Sequence, residues 1–272
     1  MRNRVLSEEG CRLFNISLEI KEPCEKICLK SLFLSLFHTD YDDKIELSVK
    51  QLKNTGSQLY VDADIKNKNS NISKMINNAI TNIILLILTE NEKILPKQRI
   101  KRNIHFYLDI ANNAYKTGDL NTANLIRTAI NNYAITNLKI KYRKKDIKLL
   151  NILNKNLGDF KNGCLLHIKN IFEQKEKEKK RILPSLMVIL IHLNKNKEYL
   201  KWYTKNGKVP YKLKEQINKL ENIIKYYKNM YNGNNYELIS LYKEDPENNI
   251  VIKNLEGNTI SIKIGNIVKK IK

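Results

Sequence analysis

The segment Ile104–Leu138 constrains the fold more than any other part of this chain, because it contains two apolar-periodic stretches joined by a very short turn. Gly118 is typical of a helix end, since glycine adopts the left-handed conformation there without strain. Asp119 follows directly, and its carboxylate can accept hydrogen bonds from the free N–H groups of a second helix. The apolar residues at helical spacing are Ile104, Tyr107, Leu108, Ala111 and Tyr115 before the turn and Leu120, Ala123, Ile126 and Ile130 after it. The segment therefore predicts two antiparallel helices.

The same spacing recurs along most of the chain and predicts an all-α body. Further helices are expected at Ile72–Asn91, at Ile147–Leu157, from Pro184 onward, and from about Lys212 to Tyr231. Residues 40–72 are polar and contain Asn54-Thr55-Gly56, so we expect a loop there with one short extended piece at Gln58–Val61.

The C-terminal residues have a different pattern. Ile250–Ile252 and Ile260–Ile264 alternate apolar and polar positions at a period of two, on either side of Glu256–Asn258. This alternation around a turn is typical of a β-hairpin. The sequence therefore predicts an all-α domain followed by a small C-terminal β-hairpin tail.

The formal net charge of +21 indicates attraction to anionic partners such as nucleic acid or a membrane. Only eight of the 49 basic residues are Arg, and the others are Lys scattered along most of the chain. Since nucleic-acid readers use Arg for bidentate contacts, we expect no specific nucleic acid as a partner. An anionic membrane surface remains a partner that a Lys-rich face would attract.

Patterns typical of chemical catalysis are missing from the sequence. Its four cysteines have no second pair at zinc-ligand spacing, and no GxxxxGKS or GxxxxGKT segment exists to hold a nucleotide. The N-terminal MRNRVLSEEGCRLF lacks the apolar stretch of a secretory signal, and the longest apolar run, Ile83–Leu88, is too short to span a bilayer. We therefore expect a cytoplasmic protein with neither a cofactor nor a metal.

Several segments, taken in chain order, resemble the catalytic domain of Ras-family guanine-nucleotide exchange factors. The stretch RIKRNIHFYLDIA resembles the family's "R...I..FI.IA", and Asp119–Asn121 sits where the family has its "N.N" turn. The residues INNYAITNL, from Ile130 to Leu138, resemble the "LNS" and "V.RL" elements. Pro184–Leu193 is similar to "IP.LG.YL.DL", and Gly207–Tyr211 to "GLINF".

The resemblance covers about residues 20–242 and implies a RasGEF-like helical domain with a protruding helical hairpin that starts near Pro184. Residues 1–19 are then a lead-in, and residues 243–272 form a basic tail with the β-hairpin. The implied function is to promote GDP release from a Ras-superfamily small GTPase by inserting the hairpin near its switch and magnesium site. Because the family is typically eukaryotic, the expected place of action is the cytosol of an AT-rich protist, or of a host cell that receives the protein from an intracellular bacterium.

The resemblance also assigns roles to individual residues. Those that it places in the exchange reaction are Glu198, Asn194, Leu193 and Asn131, and those that it places in contact with the GTPase are Ser185, Leu186, Ile189, Leu190, His192 and Lys197. Glu198 is the acid of the hairpin. Leu193 or Asn194 lies where the family aims a leucine at the magnesium site, and Asn131 is the asparagine of "LNS".

The residues themselves leave other interpretations open. Glu198 also fits a solvated carboxylate near a helix end, and Asn131 fits a helix C-cap. The hairpin's apolar residues fit plain core packing, because a core contact and a partner contact have the same helical spacing. For the whole protein, the alternatives are a non-catalytic GTPase-binding scaffold of the same fold and a basic helical nucleic-acid-binding protein.

Overall fold

The computed structural model of the chain describes residues 41–63, 70–90, 93–158, 181–207, 209–234, 249–253 and 259–263. All of them belong to one compact unit, Thr39–Lys272. The described residues are mostly helical, which confirms the all-α prediction. The predicted boundaries of the domain near residues 20 and 242 lie outside the described residues.

Eight α-helices occur in the described part of the chain. They are α1 Tyr41–Asp62, α2 Ser70–Leu88, α3 Lys97–Lys116, α4 Leu120–Ile130, α5 Tyr133–Thr136, α6 Lys144–Leu153, α7 Leu186–Lys205 and α8 Tyr211–Tyr231. A π-helical turn, Asn154–Gly158, directly continues α6. Two short strands, β1 Thr89–Glu90 and β2 Lys93–Ile94, pair antiparallel between α2 and α3.

Near the C-terminus, β3 Asn249–Lys253 pairs antiparallel with β4 Thr259–Lys263, with Val251 opposite Ser261. These are the stretches whose alternation suggested a hairpin. The residues between them, where the turn was predicted, lie outside the described part, so the hairpin as a whole stays a prediction.

The predicted pair of antiparallel helices is confirmed in α3 and α4. Gly118 has a φ of 81°, in the left-handed region that favours glycine. Asp119 precedes α4, and its side chain accepts a hydrogen bond of 3.0 Å from the backbone N–H of Thr122. Helix α4 is the centre of the body, because it contacts α1, α2, α3 and α6. Of its eleven residues, ten are buried, so α4 has no solvent-facing side.

The prediction of a loop over residues 40–72 was wrong for most of that stretch, because α1 runs from Tyr41 to Asp62. Its buried residues include Ile45, Val49, Leu52 and Leu59, which follow helical spacing. Gly56 lies on the same buried face and does not break the helix. It provides space instead, since an added Cβ would lie 2.7 Å from Nδ2 of Asn121 in α4.

Helix α2 contains a segment, Asn71–Leu88, that is long and apolar enough to cross a membrane by length and composition alone. Of this segment, 56% is buried inside the protein. Its buried side includes Ile76, Ile83 and Ile87, and α2 packs against α4. A core helix can have the same length and composition, so this segment is weak evidence for a membrane span.

We expect Gly56→Ala to destabilise the protein, because the new methyl group overpacks the contact with Asn121 and Leu183 at a cost of about 1–3 kcal/mol. The gain in helix propensity, about 1 kcal/mol, opposes this loss. Chemical denaturation measures the balance, with Glu46→Ala on the exposed side of α1 as the control. A Gly56→Ala protein that is more stable than wild type would show that this contact is not tight.

Candidate functional site

Helices α7 and α8 form a helical hairpin, named here the long hairpin, Leu186–Tyr231. The two helices contact each other, and only residues 206–210 link them. An ion pair of 2.9 Å joins Nζ of Lys197 in α7 to Oε1 of Glu221 in α8. The long hairpin also contacts the body, α7 through α1 and α2, and α8 through α1.

Most of the apolar side chains in the first half of α7 are buried in the protein. Five residues assigned to a GTPase contact lie at its start, namely Ser185, Leu186, Ile189, Leu190 and His192, and all are at most 7% exposed. Leu193 is 1% exposed. These side chains pack against the protein itself, as the alternative of core packing predicts. Burial and nearby Lys195 lower the pKa of His192, which favours a neutral imidazole.

The second half of α7 is open to solvent. Glu198 is exposed, and Asn194 and Lys197 are partly exposed. Three large side chains lie on the exposed side of the helix: Ile191 of the first half is 42% exposed, and Tyr199 and Trp202 of the second half are 48% and 58% exposed. We name Ile191, Lys195, Glu198, Tyr199 and Trp202 the outer stripe, because their spacing places them along one face of the helix.

Sequence reasoning did not assign Ile191, Tyr199 or Trp202 to the site. Trp202 is the one tryptophan of the chain, and it lies between tyrosines in a Lys-rich segment. Exposed Trp and Tyr are the residue types that dominate protein–protein binding energy. This composition is the sequence signal for the outer stripe, but the apolar first half of α7 has the clearer pattern.

The chain just before α7 is fixed to the turn between α3 and α4. The backbone N–H of Leu183 donates to the carbonyl of Gly118 at 2.9 Å, and that of Leu120 donates to the carbonyl of Leu183 at 2.9 Å. The hydroxyl of buried Tyr60 donates to the carbonyl of Pro184 at 3.0 Å. Burial raises the pKa of Tyr60, so its phenol stays protonated and able to donate.

Two buried asparagines of α4 hold the first turn of α7. Oδ1 of Asn121 accepts a hydrogen bond of 3.2 Å from the backbone N–H of Leu186, which caps α7 from another helix. Nδ2 of Asn124 donates to Oγ of Ser185 at 2.9 Å. The base of the long hairpin is therefore positioned by side chains of α4, a helix with ten of its eleven residues buried.

A chain of polar contacts extends from Asn124 to Asn131. Nε of Arg127 donates to Oδ1 of Asn124 at 2.9 Å, and Nη1 of Arg127 donates to Oδ1 of Asn154 at 3.3 Å. Nδ2 of Asn131 donates to the same oxygen of Asn154 at 2.8 Å. Asn131 is thus the C-cap of α4 and also the outer end of a polar chain that reaches Ser185.

Asp119 is a buried acid beside this base. Desolvation raises its pKa to about 6, although hydrogen bonds from Thr122 act in the opposite direction. Its second oxygen, Oδ2, has no hydrogen-bond partner among the residues that the structure describes. Ionisation of Asp119 therefore places a partly satisfied charge next to the chain that leads into α7.

The outer stripe is an exposed surface on a helix whose start is fixed to the body. Among the described residues there is no group of three or more His, Cys, Asp or Glu that could hold a metal ion. The crevice beside Asn121, Asn124 and Ser185 has no room for a water molecule. Comparison of the chain with protein-family models finds no match, and comparison with curated proteins finds none either.

We expect Asp119→Asn to make the protein more stable at neutral pH. The folded-state pKa of about 6 exceeds the unfolded value of about 4, so the contribution of Asp119 is fully present below pH 4 and is lost as pH rises through 6. Asn keeps the cap without the charge. The free energy of unfolding of the variant, relative to wild type, should rise by on the order of 2 kcal/mol between pH 4 and 8. With Glu46→Gln as control, a difference that does not change with pH would contradict this.

We expect Asn121→Ala to loosen the start of α7, because it leaves the buried N–H of Leu186 without an acceptor. The cost is about 1–3 kcal/mol. Hydrogen–deuterium exchange should accelerate in the first turn of α7 more than in α3, while Asn151→Ala on the exposed side of α6 should leave both unchanged. Equal acceleration in α3 and α7 would show a general loss of stability instead of a local cap.

Proposed function

We propose that this chain is a guanine-nucleotide exchange factor for a Ras-like small GTPase, and that the outer stripe of the long hairpin contacts the GTPase. One observation carries the proposal. The helical hairpin that begins after Pro184 has a base fixed to the core and an exposed half with Glu198, Tyr199 and Trp202 on one face. It occupies the place in the chain where the resemblance to the RasGEF domain puts the exchange hairpin.

Nucleotide exchange needs a segment that inserts into the GTPase, and it makes or breaks no covalent bond. A GTPase holds its nucleotide through a phosphate-binding loop and Mg²⁺. A protein that binds the nucleotide-free form best lowers the barrier to nucleotide release. The carboxylate of Glu198 is suited to this task, because it repels phosphates and can take their place beside the groups that held them.

The inserted segment must also resist the force that it applies. The base of the long hairpin is held by Asn121, Asn124 and Tyr60, and its inner half is packed in the core. When the long hairpin inserts into a partner, α7 therefore keeps its position relative to the body. In this proposal Ser185, Leu186, Ile189 and Leu190 support the hairpin, as does His192, and they do not touch the GTPase.

The proposed contact surface lies further out than the resemblance alone implied. Asn194 is the candidate for the position near the magnesium site, since Leu193 is buried. Tyr199 and Trp202 provide the large apolar contacts that anchor most protein interfaces. Asn131 acts from a distance, through Asn154, Arg127 and Asn124, on the base of the hairpin.

Charge gives the long hairpin a preference for an acidic partner. Lys201, Lys205 and Lys212 are exposed around its outer end. Complementary charges speed association more than they increase affinity, so these lysines would steer the protein toward an acidic GTPase face. A protein with this function acts in a cytosol, either that of the cell that makes it or that of a host cell.

Release of a fluorescent nucleotide from purified GTPases tests the proposal directly. The panel includes Ras, Rap, Ral, Rho and Rab types, each loaded with labelled GDP. Acceleration on one of them is the expected result. Binding without acceleration would identify a scaffold of the same fold, and binding to polyanions alone, lost at moderate salt, would identify a nucleic-acid-binding protein.

We expect Trp202→Ala to reduce nucleotide release roughly 30-fold and Glu198→Ala at least roughly tenfold, because both remove contacts of the outer stripe. Both side chains are exposed, so the free energy of unfolding should change by less than about 0.5 kcal/mol. Tyr133→Ala removes an aromatic side chain that is 70% exposed on α5, and serves as the matched control. Unchanged release at unchanged stability would remove the residue from the site.

A further inference from the structure

Helix α6 and the turn after it have a solvent-facing side that the exchange function does not use. Along this side lie Lys144, Ile147, Lys148, Asn151, Ile152 and Lys155, all of them exposed. Their spacing of three or four residues places them on one face of the helix. We name these six residues the basic face.

The opposite side of α6 attaches it to the body. Leu149, Leu150 and Leu153 are buried, and α6 contacts α3 and α4. Arg143 and Asp146 fix the start of the helix, because Nε of Arg143 lies 2.7 Å from Oδ2 of Asp146. The orientation of α6 is therefore set from its inner side, and the basic face points outward on a rigid support.

The charge on this surface is of one sign. Between residues 131 and 158 the sequence has six lysines and Arg143, with Asp146 as the one acid. Asp146 is 2% exposed and is paired with Arg143 and His105, so it does not neutralise the outward lysines. Lys145 is paired with Asp109, and it is not counted in the basic face.

Exposed isoleucines interrupt the lysines. Ile147 is 46% and Ile152 45% exposed, although both belong to a residue type that is usually buried. Point charges around a few apolar side chains are the pattern of a surface that lies on lipid headgroups and places apolar groups just below them. The charge of each lysine near an anionic bilayer strengthens binding about fivefold.

We propose that the basic face docks this protein on an anionic phospholipid bilayer. The inference is independent of the exchange function, because it concerns a different helix. Nucleic acid fits this surface less well, since the face has neither the Arg forks that read phosphate and guanine nor the aromatic side chains on which bases stack. The isoleucine side chains cannot bind phosphate groups, whereas they can lie among the acyl chains just below lipid headgroups.

Vesicle flotation of the full chain tests the proposal. We expect binding to phosphatidylcholine vesicles that contain phosphatidylserine and none to phosphatidylcholine alone. Replacing Lys144, Lys148 and Lys155 together by Gln should weaken binding roughly 100-fold. The matched control replaces three other exposed lysines, Lys201, Lys205 and Lys212, by Gln and so removes the same charge from the long hairpin. If both triple variants lose binding equally, the effect is one of total charge and the proposal fails.

A second variant separates lipid from nucleic acid. Replacing Ile147 and Ile152 by Ser leaves the charge unchanged and should weaken vesicle binding several-fold. Binding of a fluorescent single-stranded RNA to the same variant is measured in parallel. If the serine variant keeps full vesicle binding, or if the lysines govern RNA binding more strongly than vesicle binding, the basic face is not a membrane surface. Circular dichroism of each variant confirms that it is folded, and since all five side chains are exposed, we expect unchanged spectra.

Discussion

The hydrogen bond from the backbone N–H of Leu186 to Oδ1 of Asn121 positions the start of the long hairpin on the body. It joins the first turn of α7 to α4, the helix that the rest of the body surrounds. A helix that is buried on every side is usually apolar throughout, but two of the buried residues of α4 are asparagines. Those side chains specify where the long hairpin begins, because each would be costly to bury without its partner.

The parts of the fold that follow from local chemistry were predictable from sequence. Gly118 and Asp119 define a helix end and a helix start by their own conformational preferences, whatever surrounds them. Gly56 was misleading for the opposite reason. Its role in α1 is to make room for Asn121, which lies far away in sequence. In the sequence, a glycine that ends a helix cannot be distinguished from a glycine that makes room for the side chain of another helix.

The candidate site likewise has a part that local sequence predicts and a part that depends on the tertiary structure. Helical spacing predicted the start of α7, the resemblance assigned Glu198 to the hairpin, and the structure has that carboxylate exposed. Spacing could not distinguish side chains such as Leu186 and Ile189, which pack inward, from contacts with a partner. The exposure of Tyr199 and Trp202 depends on where the body stops covering α7, which is a property of the tertiary structure. The polar chain from Asn131 to Ser185 likewise crosses helices that are distant in sequence.

The burial gradient along α7 separates the residues that fold the protein from those that would choose its partner. The inner half is locked into the core, while the outer stripe contributes little to stability. Substitutions in the outer stripe therefore change the free energy of unfolding little. Several of these side chains could be replaced without altering the residues of the body. Under the proposed function, the inner half of α7 is a constant support, and substitutions at a few exposed positions between Ile191 and Lys212 would change which GTPase the protein contacts without altering the fold of the body.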